Sequence, residues 1–273
     1  MNTSPLVSII TVTYNAKNYL EQTIQSVIAQ TYPNIEYIII DGGSTDGTID
    51  VIKKYDNHIA HWVSEPDRGI YDAMNKGIRL AHGKLIGMVN ASDYYEPNTV
   101  QRVIEAYQAK PNVGIFHGNI NMLNEDGSFF KRKVADTNLQ HLEMGFSIFH
   151  PTFFVTANVY ETMGLYDIHF RLAADYDFAL RCWKAGIIFH HIDSILSNFR
   201  VGGATNQQRL QSLEESKQAL INNGIPEQEA NHAYAVWKSK MQKDIVARYF
   251  YDLLRKIFPT YLIQKITPHI QIK

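Results

Sequence analysis

The sequence predicts an α/β fold with a mostly parallel sheet that carries helices on both faces. Four apolar, largely β-branched stretches, at 7–14, 35–40, 59–63 and 85–89, have the length of buried strands. A helical pattern follows each of the first three, so strand and helix alternate three times. Because crossovers between parallel strands are right-handed, the loops after these strands meet at one edge of the sheet, where open α/β folds bind ligands.

The first two strands each lead through a polar loop into a helix. After a break at 14–17, apolar residues at helical spacing predict a helix with one buried face; they are Leu20, Ile24, Val27 and Ile28. The second strand ends at Asp41, and the glycine-rich run 42–47 predicts a tight loop. We expect Thr48 to cap the short helix that follows.

The third and fourth strands repeat this arrangement. A loop at 64–68 precedes a helix whose apolar side is formed by Ile70, Met74, Gly77, Ile78 and Ala81. The fourth strand leads directly into Asn90, Ala91, Ser92 and Asp93. We therefore expect this tetrad to lie at the ligand-binding edge of the sheet.

The alternation becomes less regular beyond Pro97. Apolar spacing predicts a helix at 100–107 and a strand at 113–123, and Gly127 with Ser128 indicates a hairpin. Strand and helix signals then mix until a helical pattern that begins at Asp175. From Asn206 onward helical segments dominate, interrupted by glycine and proline.

Composition is that of an ordinary soluble globular protein. Of 273 residues, 45% are hydrophobic and 19% charged, which excludes a disordered or fibrous chain. The single cysteine, Cys182, cannot form an internal disulfide and is expected to be a small buried apolar residue. Residues 1–6 lack the pattern of a signal peptide, and no run of about 18 apolar residues occurs. We expect a cytoplasmic protein that does not cross a membrane.

Charge is unevenly distributed along the chain. The net charge is −1, yet 238–273 carries eight basic and two acidic residues, which leaves 18 basic and 25 acidic residues in 1–237. An apolar stripe at steps of four runs through this basic segment, formed by Ile245, Tyr249, Leu253 and Ile257. Such a helix fits the surface of an anionic membrane. Docking on the acidic body, or a dimer contact, would also explain it.

Two segments at the predicted ligand edge contain groups suited to a metal or a nucleotide. Asp93 could bind a divalent cation, with Ser92 or water completing the oxygen ligands; the alternative is a cap for the helix that starts near Pro97. In the loop 41–47, Asp41 and Ser44 could bond a ribose or a base, while the alternative is a plain turn. The loop lacks both the lysine of a phosphate-binding P-loop and the glycine spacing of a dinucleotide fingerprint.

A second acidic pair, Asp175 and Asp177, lies far downstream. Residues two apart do not share a helix face, so only one of them can point at a given atom. At a helix start, Asp175 would stay ionised and could act as a general base, or it could simply cap the helix. His150, His190 and His191 are not at metal-ligand spacing on a shared face.

Several ordered motifs resemble the family 2 glycosyltransferases of the GT-A fold over about residues 6–200. The motifs are VSIITVTYNAKNYLEQTIQSVIAQTYPNIEYIIIDGGSTDGT, SEPDRGIYDAMNKGIRLAHGKLIGMVNASD, HPTFF and LAADYDFALR. The resemblance implies the Rossmann-like GT-A architecture with a helical C-terminal tail. It divides the chain into a GT-A domain at 6–205, with a nucleotide-sugar half at 6–97 and an acceptor half at 98–205, and a basic helical region at 206–273.

The resemblance also implies roles for individual residues. Asp93 matches the last Asp of the family's acidic metal motif, Asp175 matches the catalytic base with Asp177 as the second catalytic candidate, and Asp41 begins the nucleotide loop. Arg68 and Lys76 are candidate phosphate contacts. The residues expected to contact the nucleotide sugar are Thr13, Tyr14, Asn15, Asp41, Gly43, Ser44, Arg68, Asn75, Asn90 and Ser92.

Two positions depart from the family pattern. Ser92 stands where the acidic motif often carries a second Asp, which predicts weaker metal binding or other donors. Gly42 stands where the nucleotide loop often carries its second Asp, which removes a base contact.

The function that the resemblance implies is an inverting transfer of a sugar from a nucleotide diphosphate sugar, usually UDP-linked, with Mn2+ or Mg2+ as the cation. The expected acceptor is a glycan or a lipid-linked hydroxyl in polysaccharide assembly at the inner membrane face, with 238–273 as a peripheral membrane contact. No nucleic acid partner is expected. The alternatives are a catalytically weak sugar-nucleotide binding or scaffold protein, and a nucleotidyltransferase.

Overall fold

The computed structural model describes residues 4–145, 148–202 and 208–257, with side chains up to residue 243. Its centre is a mixed sheet. The described strands are β1 (Val7–Thr13), β2 (Ile35–Asp41), β3 (His61–Ser64), β4 (Leu85–Met88), β5 (Tyr94–Tyr95), β6 (Ile115–Leu123), β7 (Phe129–Lys133), β8 (Phe154–Thr156) and β9 (Phe189–Arg200).

Helices cover both faces of this sheet. The α-helices within the described residues are α1 (Lys17–Ile28), α2 (Thr48–Lys54), α3 (Ile70–Leu80), α4 (Thr99–Ala109), α5 (Ala157–Met163), α6 (Ala174–Lys184), α7 (Arg209–Asn222) and α8 (Glu227–Ile257). The predicted helices after the first three strands are present as α1, α2 and α3. The α/β class is therefore confirmed.

One detail of α2 differs from the prediction. Gly47, at φ 97°, occupies the N-cap position, and Thr48 is the first residue of the helix. The hydroxyl of Thr48 instead accepts a hydrogen bond from the N–H of Ala16, at 2.9 Å. A side chain expected to cap its own helix thus joins two loops.

The first four strands are parallel, in the order β3-β2-β1-β4. The order continues through β8, β6, β9 and β5, with β7 paired to the free side of β6 as a hairpin partner. β8 runs antiparallel to both of its neighbours, while β6 and β9 are parallel to each other. The predicted parallel sheet is confirmed for β1 to β4, and the hairpin at Gly127 is confirmed as β6–β7.

β8 is a short strand that joins the two halves of the sheet. Three residue pairs connect it to β4 and two connect it to β6. Gly87 on β4 faces Phe154 on β8, and a methyl group at Gly87 would lie 2.5 Å from the Phe154 ring. A glycine is therefore required where the aromatic ring lies flat against the neighbouring strand.

Alternating residues of the central strands divide the core into two layers. Ile38 and Ile40 of β2 face α3 and α6, whereas Ile39 faces the layer that contains α1 and α4. Burying a side chain of this size contributes about 2 kcal/mol, so both layers stabilise the sheet. Cys182 is fully buried in the first layer, and burial raises the pKa of its thiol to about 12, as expected for an apolar role.

The C-terminal helices pack on this body. Ala219 and Leu220 of α7, and Ala230 and Ala233 of α8, are buried in the first core layer. Further along α8, the indole N–H of Trp237 donates to the carbonyl of Met144. The predicted apolar stripe that begins at Ile245 lies outside the residues whose side chains are described. None of the helices in the described part of the chain is long and apolar enough to span a bilayer.

Candidate functional site

The loops after β1 and β2 are joined at the carboxyl edge of the sheet. Asn15, at φ 47°, donates from its backbone N–H to the Ser44 hydroxyl at 2.8 Å. In return, the Asn15 side-chain oxygen accepts from the N–H of Thr45 at 2.9 Å. Asparagine tolerates this left-handed backbone because its side chain bonds locally. The predicted residues Asn15 and Ser44 thus meet, and they fix the shape of the loop pair.

Asp41 organises the second loop from within. Its side chain is fully buried and accepts hydrogen bonds from the N–H groups of Gly43 and Ser44, at 3.0 and 2.9 Å. It also accepts from the hydroxyls of Ser44 and Ser64, at 2.5 and 2.7 Å. These four bonds direct both carboxylate oxygens at the loop itself. The predicted contact of Asp41 with a ligand stays a prediction, and its evident role is to hold Gly43 and Ser44 in place.

Two neighbouring residues at the end of β1 present unused binding groups. The hydroxyl of Thr13 is buried and has no hydrogen-bond partner among the described residues. The side chain of Tyr14 is 65% exposed, which is unusual for a large ring beside a core strand. A buried polar group without a partner requires an explanation, and a bound ligand or water supplies one. These are the features expected of a ligand edge.

The tetrad after β4 buries its carboxylate. Asn90 and Ser92 are half-buried, but Asp93 is only 1% exposed, and its Oδ1 accepts from the N–H of Arg200 at 3.0 Å. Burial raises the pKa of Asp93 to about 7. The hydrogen bond from the N–H of Arg200, the charge of Arg200 and a hydrogen bond from the Ser92 side chain lower the pKa, but they do not offset the effect of burial. Burial of this kind disfavours the ionised form that a cation needs.

The surroundings of Asp93 therefore do not fit a divalent cation without further donors. Among the described residues, the one group of three potential ligand side chains with atoms within 4.8 Å is Glu36, His61 and His82. That group lies at the amino edge of the sheet, where Glu36 bonds His82 and Ser8. The role of Asp93 as a metal ligand stays a prediction, and no chemical step is assigned to a metal here.

Arg200 lies beside Asp93 at the edge of the site and was not predicted from the sequence. Its guanidinium donates to the carbonyl of Glu125 at 3.0 Å and to the side chain of Gln22 at 2.9 Å. It also lies 5.1 Å from the ring centroid of Tyr19. A single arginine at the end of β9 has no sequence signal, because its partners come from three separate segments of the chain. It connects the end of β9 to the loop that contains Asp93.

The residues predicted on and before α3 separate into different roles. Arg68 forms an ion pair with Asp72 at 3.2 Å, but 73% of its side chain is exposed to solvent. Its guanidinium can therefore still contact a ligand from the loop before α3. Asn75 is buried, and its amide bonds both the carbonyl and the N–H of Tyr166, at 2.8 and 3.0 Å. Through these two bonds Asn75 connects α3 to the segment before α6, and its predicted contact with the nucleotide sugar stays a prediction. Lys76 forms an ion pair with Glu65 at 2.8 Å.

The two downstream aspartates point in different directions, as their spacing predicts. Asp175, in the first turn of α6, is half-exposed, and its Oδ1 accepts from the hydroxyl of Tyr71 at 2.9 Å. Asp177 is buried, with one oxygen bonded to Arg181 at 2.8 Å and the other to Asn223 at 2.9 Å. Asp175 can therefore meet a ligand, whereas Asp177 belongs to a structural ion pair. The catalytic role predicted for Asp177 stays a prediction.

Tyr71 was not singled out from the sequence, although it lies in a quoted motif. It belongs to the first turn of α3, and burial and the charge of Asp175 raise its pKa well above the usual value. Tyr71 is therefore a permanent hydrogen-bond donor to Asp175. Beside it, His150 bonds the hydroxyl of Tyr166 at 2.9 Å, and burial lowers the pKa of His150.

Solved structures with the same architecture identify the class of fold. The chain is similar to Staphylococcus aureus TarS 1–349 in complex with UDP, with a TM-score of 0.61 at 18% identity, covering 84% of this chain and 70% of that one. It is similar to the mannosyltransferase PcManGT from Pyrobaculum calidifontis in complex with GDP-Man and Mn2+, with a TM-score of 0.63 at 18% identity, covering 85% and 70%. The fold is that of the GT-A glycosyltransferases.

Sequence comparison then gives the family. The model for glycosyl transferase family 2 matches residues 8–166, and the chain belongs to this family. It is 35% identical to the uncharacterized glycosyltransferase Rv1514c of Mycobacterium tuberculosis, over 66% of this chain and 70% of the relative. It is 28% identical to a PGL/p-HBAD biosynthesis glycosyltransferase of Mycobacterium bovis BCG, over 74% and 80%. The fold and family implied by the sequence motifs are thereby confirmed.

Proposed function

We propose that this glycosyltransferase is an inverting hexosyltransferase that uses a UDP-linked donor and Asp175 as its general base. The observation that supports the proposal is the bond between Asp175 and Tyr71, because it brings a half-exposed carboxylate at the start of α6 against the first turn of α3. The joined loops after β1 and β2 form the donor side of the same edge.

The chemical step follows from this placement. Asp175 takes the proton from an acceptor hydroxyl as its oxygen forms a bond to the anomeric carbon, from the face opposite the diphosphate. The bond between the anomeric carbon and the diphosphate oxygen breaks, and the nucleoside diphosphate leaves with that electron pair. The single displacement inverts the anomeric centre. Arg68, which is exposed in the loop before α3, is the cation that we assign to stabilise the negative charge developing on the departing diphosphate.

The test of the base is Asp175→Asn. Removal of a general base typically costs 10²- to 10⁴-fold in rate, so we expect turnover to fall at least about a hundredfold while UDP binding is kept. Asp50→Asn, on the exposed surface of α2, is the matched control and should keep wild-type turnover. Near-normal turnover of Asp175→Asn would remove Asp175 from this role.

Product analysis separates the proposed activity from its rivals. A transferase releases nucleoside diphosphate, whereas a nucleotidyltransferase releases pyrophosphate. A sugar-nucleotide binding or scaffold protein would bind the donor and release neither, even with a panel of hydroxyl acceptors. Thermal shift against a set of UDP- and GDP-sugars, with and without Mn2+ or Mg2+, would identify donor and cation, because a bound ligand raises the melting temperature.

For the acceptor we propose a lipid-linked glycan at the cytoplasmic face of a membrane. Support comes from the charge of 238–273 and from the relative that is named for PGL/p-HBAD biosynthesis. The basic apolar tail would bring the site to such an acceptor by binding anionic lipid.

A further inference from the structure

Three side chains that can bind a metal meet at the amino edge of the sheet, at the opposite end of the strands from Asp93. They belong to Glu36, His61 and His82, and one potential ligand atom of each lies within 4.8 Å of the other two. Glu36 is the second residue of β2, His61 is the first residue of β3, and His82 follows α3. Three separate segments of the chain thus contribute one side chain each.

The register of the sheet explains why these side chains converge. His61 pairs with Ile38, which is two residues from Glu36, so all three lie on the same face of the sheet. Ile38 packs on this face in the core layer that contains α3. The chain that leaves α3 therefore passes the start of β2 and brings His82 to Glu36.

The carboxylate of Glu36 is held in a fixed orientation. Its Oε2 accepts hydrogen bonds from the Ser8 hydroxyl and from the N–H of His82, the latter at 2.8 Å. Its Oε1 lies 2.7 Å from Nδ1 of His82, and only 10% of the Glu36 side chain is exposed. One oxygen therefore anchors the carboxylate while the other faces a histidine ring. Anchoring of this kind is what orients a metal ligand.

The two imidazole rings have room to close around an ion. The side chain of His82 is 70% exposed, His61 is exposed as well, and their ring centroids lie 6.3 Å apart. In a tetrahedral zinc site with bonds of about 2.0–2.1 Å, the ligand atoms lie about 3.4 Å from one another. The separation of 2.7 Å between Glu36 and His82 is shorter than this value, and none of the three separations exceeds 4.8 Å. Small rotations of the exposed rings are enough to reach zinc geometry.

We propose that Glu36, His61 and His82 form a Zn2+ site that links the starts of β2 and β3 to the segment after α3. Two imidazoles and a carboxylate suit Zn2+, whereas Mg2+ and Ca2+ prefer oxygen ligands alone. The hydrogen that lies between Nδ1 of His82 and Glu36 moves to Nε2 through solvent, so that the neutral ring binds zinc through Nδ1. Water completes the four ligands. The ion stabilises the amino edge of the sheet and is separate from any cation that the donor requires.

The experiment measures Zn2+ binding to the full chain by calorimetry, after chelator treatment and without nucleotide. We expect one tightly bound Zn2+ per chain and no comparable binding of Mg2+. Loss of a group that only supports a metal ligand typically costs about 10- to 100-fold in affinity, so His61→Asn and His82→Asn should each weaken zinc binding at least about tenfold. His169→Asn is the matched control, because His169 is also exposed and lies 2.7 Å from a carboxylate, that of Asp167. It should bind zinc as the wild type does.

Thermal unfolding gives a second readout of the same site. Zn2+ should raise the melting temperature of the wild type and of His169→Asn, because the three segments come together only in the folded chain. His61→Asn and His82→Asn should fold but lose this shift, since both side chains are exposed. Zinc affinity equal to that of the wild type in these two variants would overturn the inference. Loss of zinc binding in Asp93→Asn would also overturn it, because the ion would then lie at the carboxyl edge.

Discussion

Carboxylates at the carboxyl edge of this sheet differ in what they can do because their surroundings differ. Asp41 and Asp177 have both oxygens bonded to protein groups, so both carboxylates help to shape the site, and their predicted functional roles stay predictions. Asp67 and Asp175 each keep exposed surface. Asp93 is buried with a raised pKa, which makes its charge an energetic cost at neutral pH. Residue type alone does not distinguish these roles.

Replacement of Asp93 by Asn should change how stability depends on pH. The pKa of Asp93 in the folded protein, about 7, lies above its usual value of about 4. Between about pH 4 and 7 the folded protein therefore binds more protons than the unfolded chain, and the free energy of unfolding falls as pH rises through this range. The full cost is about 4 kcal/mol, reached above about pH 7. Asp93→Asn should therefore gain stability relative to the wild type between about pH 5 and 8, by about 3 kcal/mol.

Urea unfolding at a series of pH values measures this difference. Exposed Asp50→Asn should run parallel to the wild type at every pH. A stability difference between Asp93→Asn and the wild type that does not vary with pH would show that Asp93 is not protonated on folding.

At the scale of elements, α3 contacts α6 and the segment before it through two side chains. Tyr71 donates to Asp175 at the start of α6, and one turn later Asn75 bonds both backbone groups of Tyr166. Residues at i and i+4 share a helix face, so a single face of α3 makes both contacts. The orientation of the proposed base therefore depends on the placement of α3.

Removal of the Tyr71 hydroxyl tests this dependence. Tyr71→Phe keeps the ring but removes the bond to Asp175, so we expect the proposed base to be less well oriented and kcat to fall about tenfold. KM for the donor should stay within about twofold, because no donor contact is lost. Tyr107→Phe, at a half-buried tyrosine of α4 that packs against Phe116, is the control. A change in KM with unaltered kcat would contradict a role in positioning the base.

Apolar spacing and turn residues predicted the elements that depend on short stretches of sequence. These are β1 to β4, the helices α1 to α3 and the hairpin at Gly127, and all of them are present in the structure. β5 and β8 have two and three residues, too few for a period, and they exist only through pairing with distant strands. The position of Asp175 came from motif resemblance. The ligand contact predicted for Asn75 stays a prediction, and its two bonds to Tyr166 had no local sequence signal because they depend on a residue 91 positions away.

The molecule as a whole combines an acidic body with a basic C-terminal segment. The first part of α8 is packed on the body through Ala230 and Ala233, and Trp237 marks the last described contact of that packing. The eight basic residues of 238–273 follow directly after it. An anionic bilayer is the predicted partner of this segment, and docking on the acidic body or a dimer contact are the alternatives.

Vesicle flotation tests the tail at this scale. The full chain should float with vesicles that contain anionic lipid, and removal of 238–273 should abolish flotation while Trp237 keeps α8 attached to the body. Binding should weaken in high salt, because attraction of this kind is screened. Neutral vesicles are the control, and equal flotation of both chains would refute the tail as a membrane contact.

The antiparallel strand β8 has a consequence for synthesis on the ribosome. β1, β2 and β3 can pair as they emerge from the ribosome. One edge of β4 stays unpaired until β8, which lies beyond residue 150, has left the exit tunnel. An unpaired apolar edge is the feature through which nascent chains associate wrongly. Three late residues thus cover the open edge of β4, and substitutions in β8 should reduce the yield of folded protein more strongly than they reduce the stability of molecules that have folded.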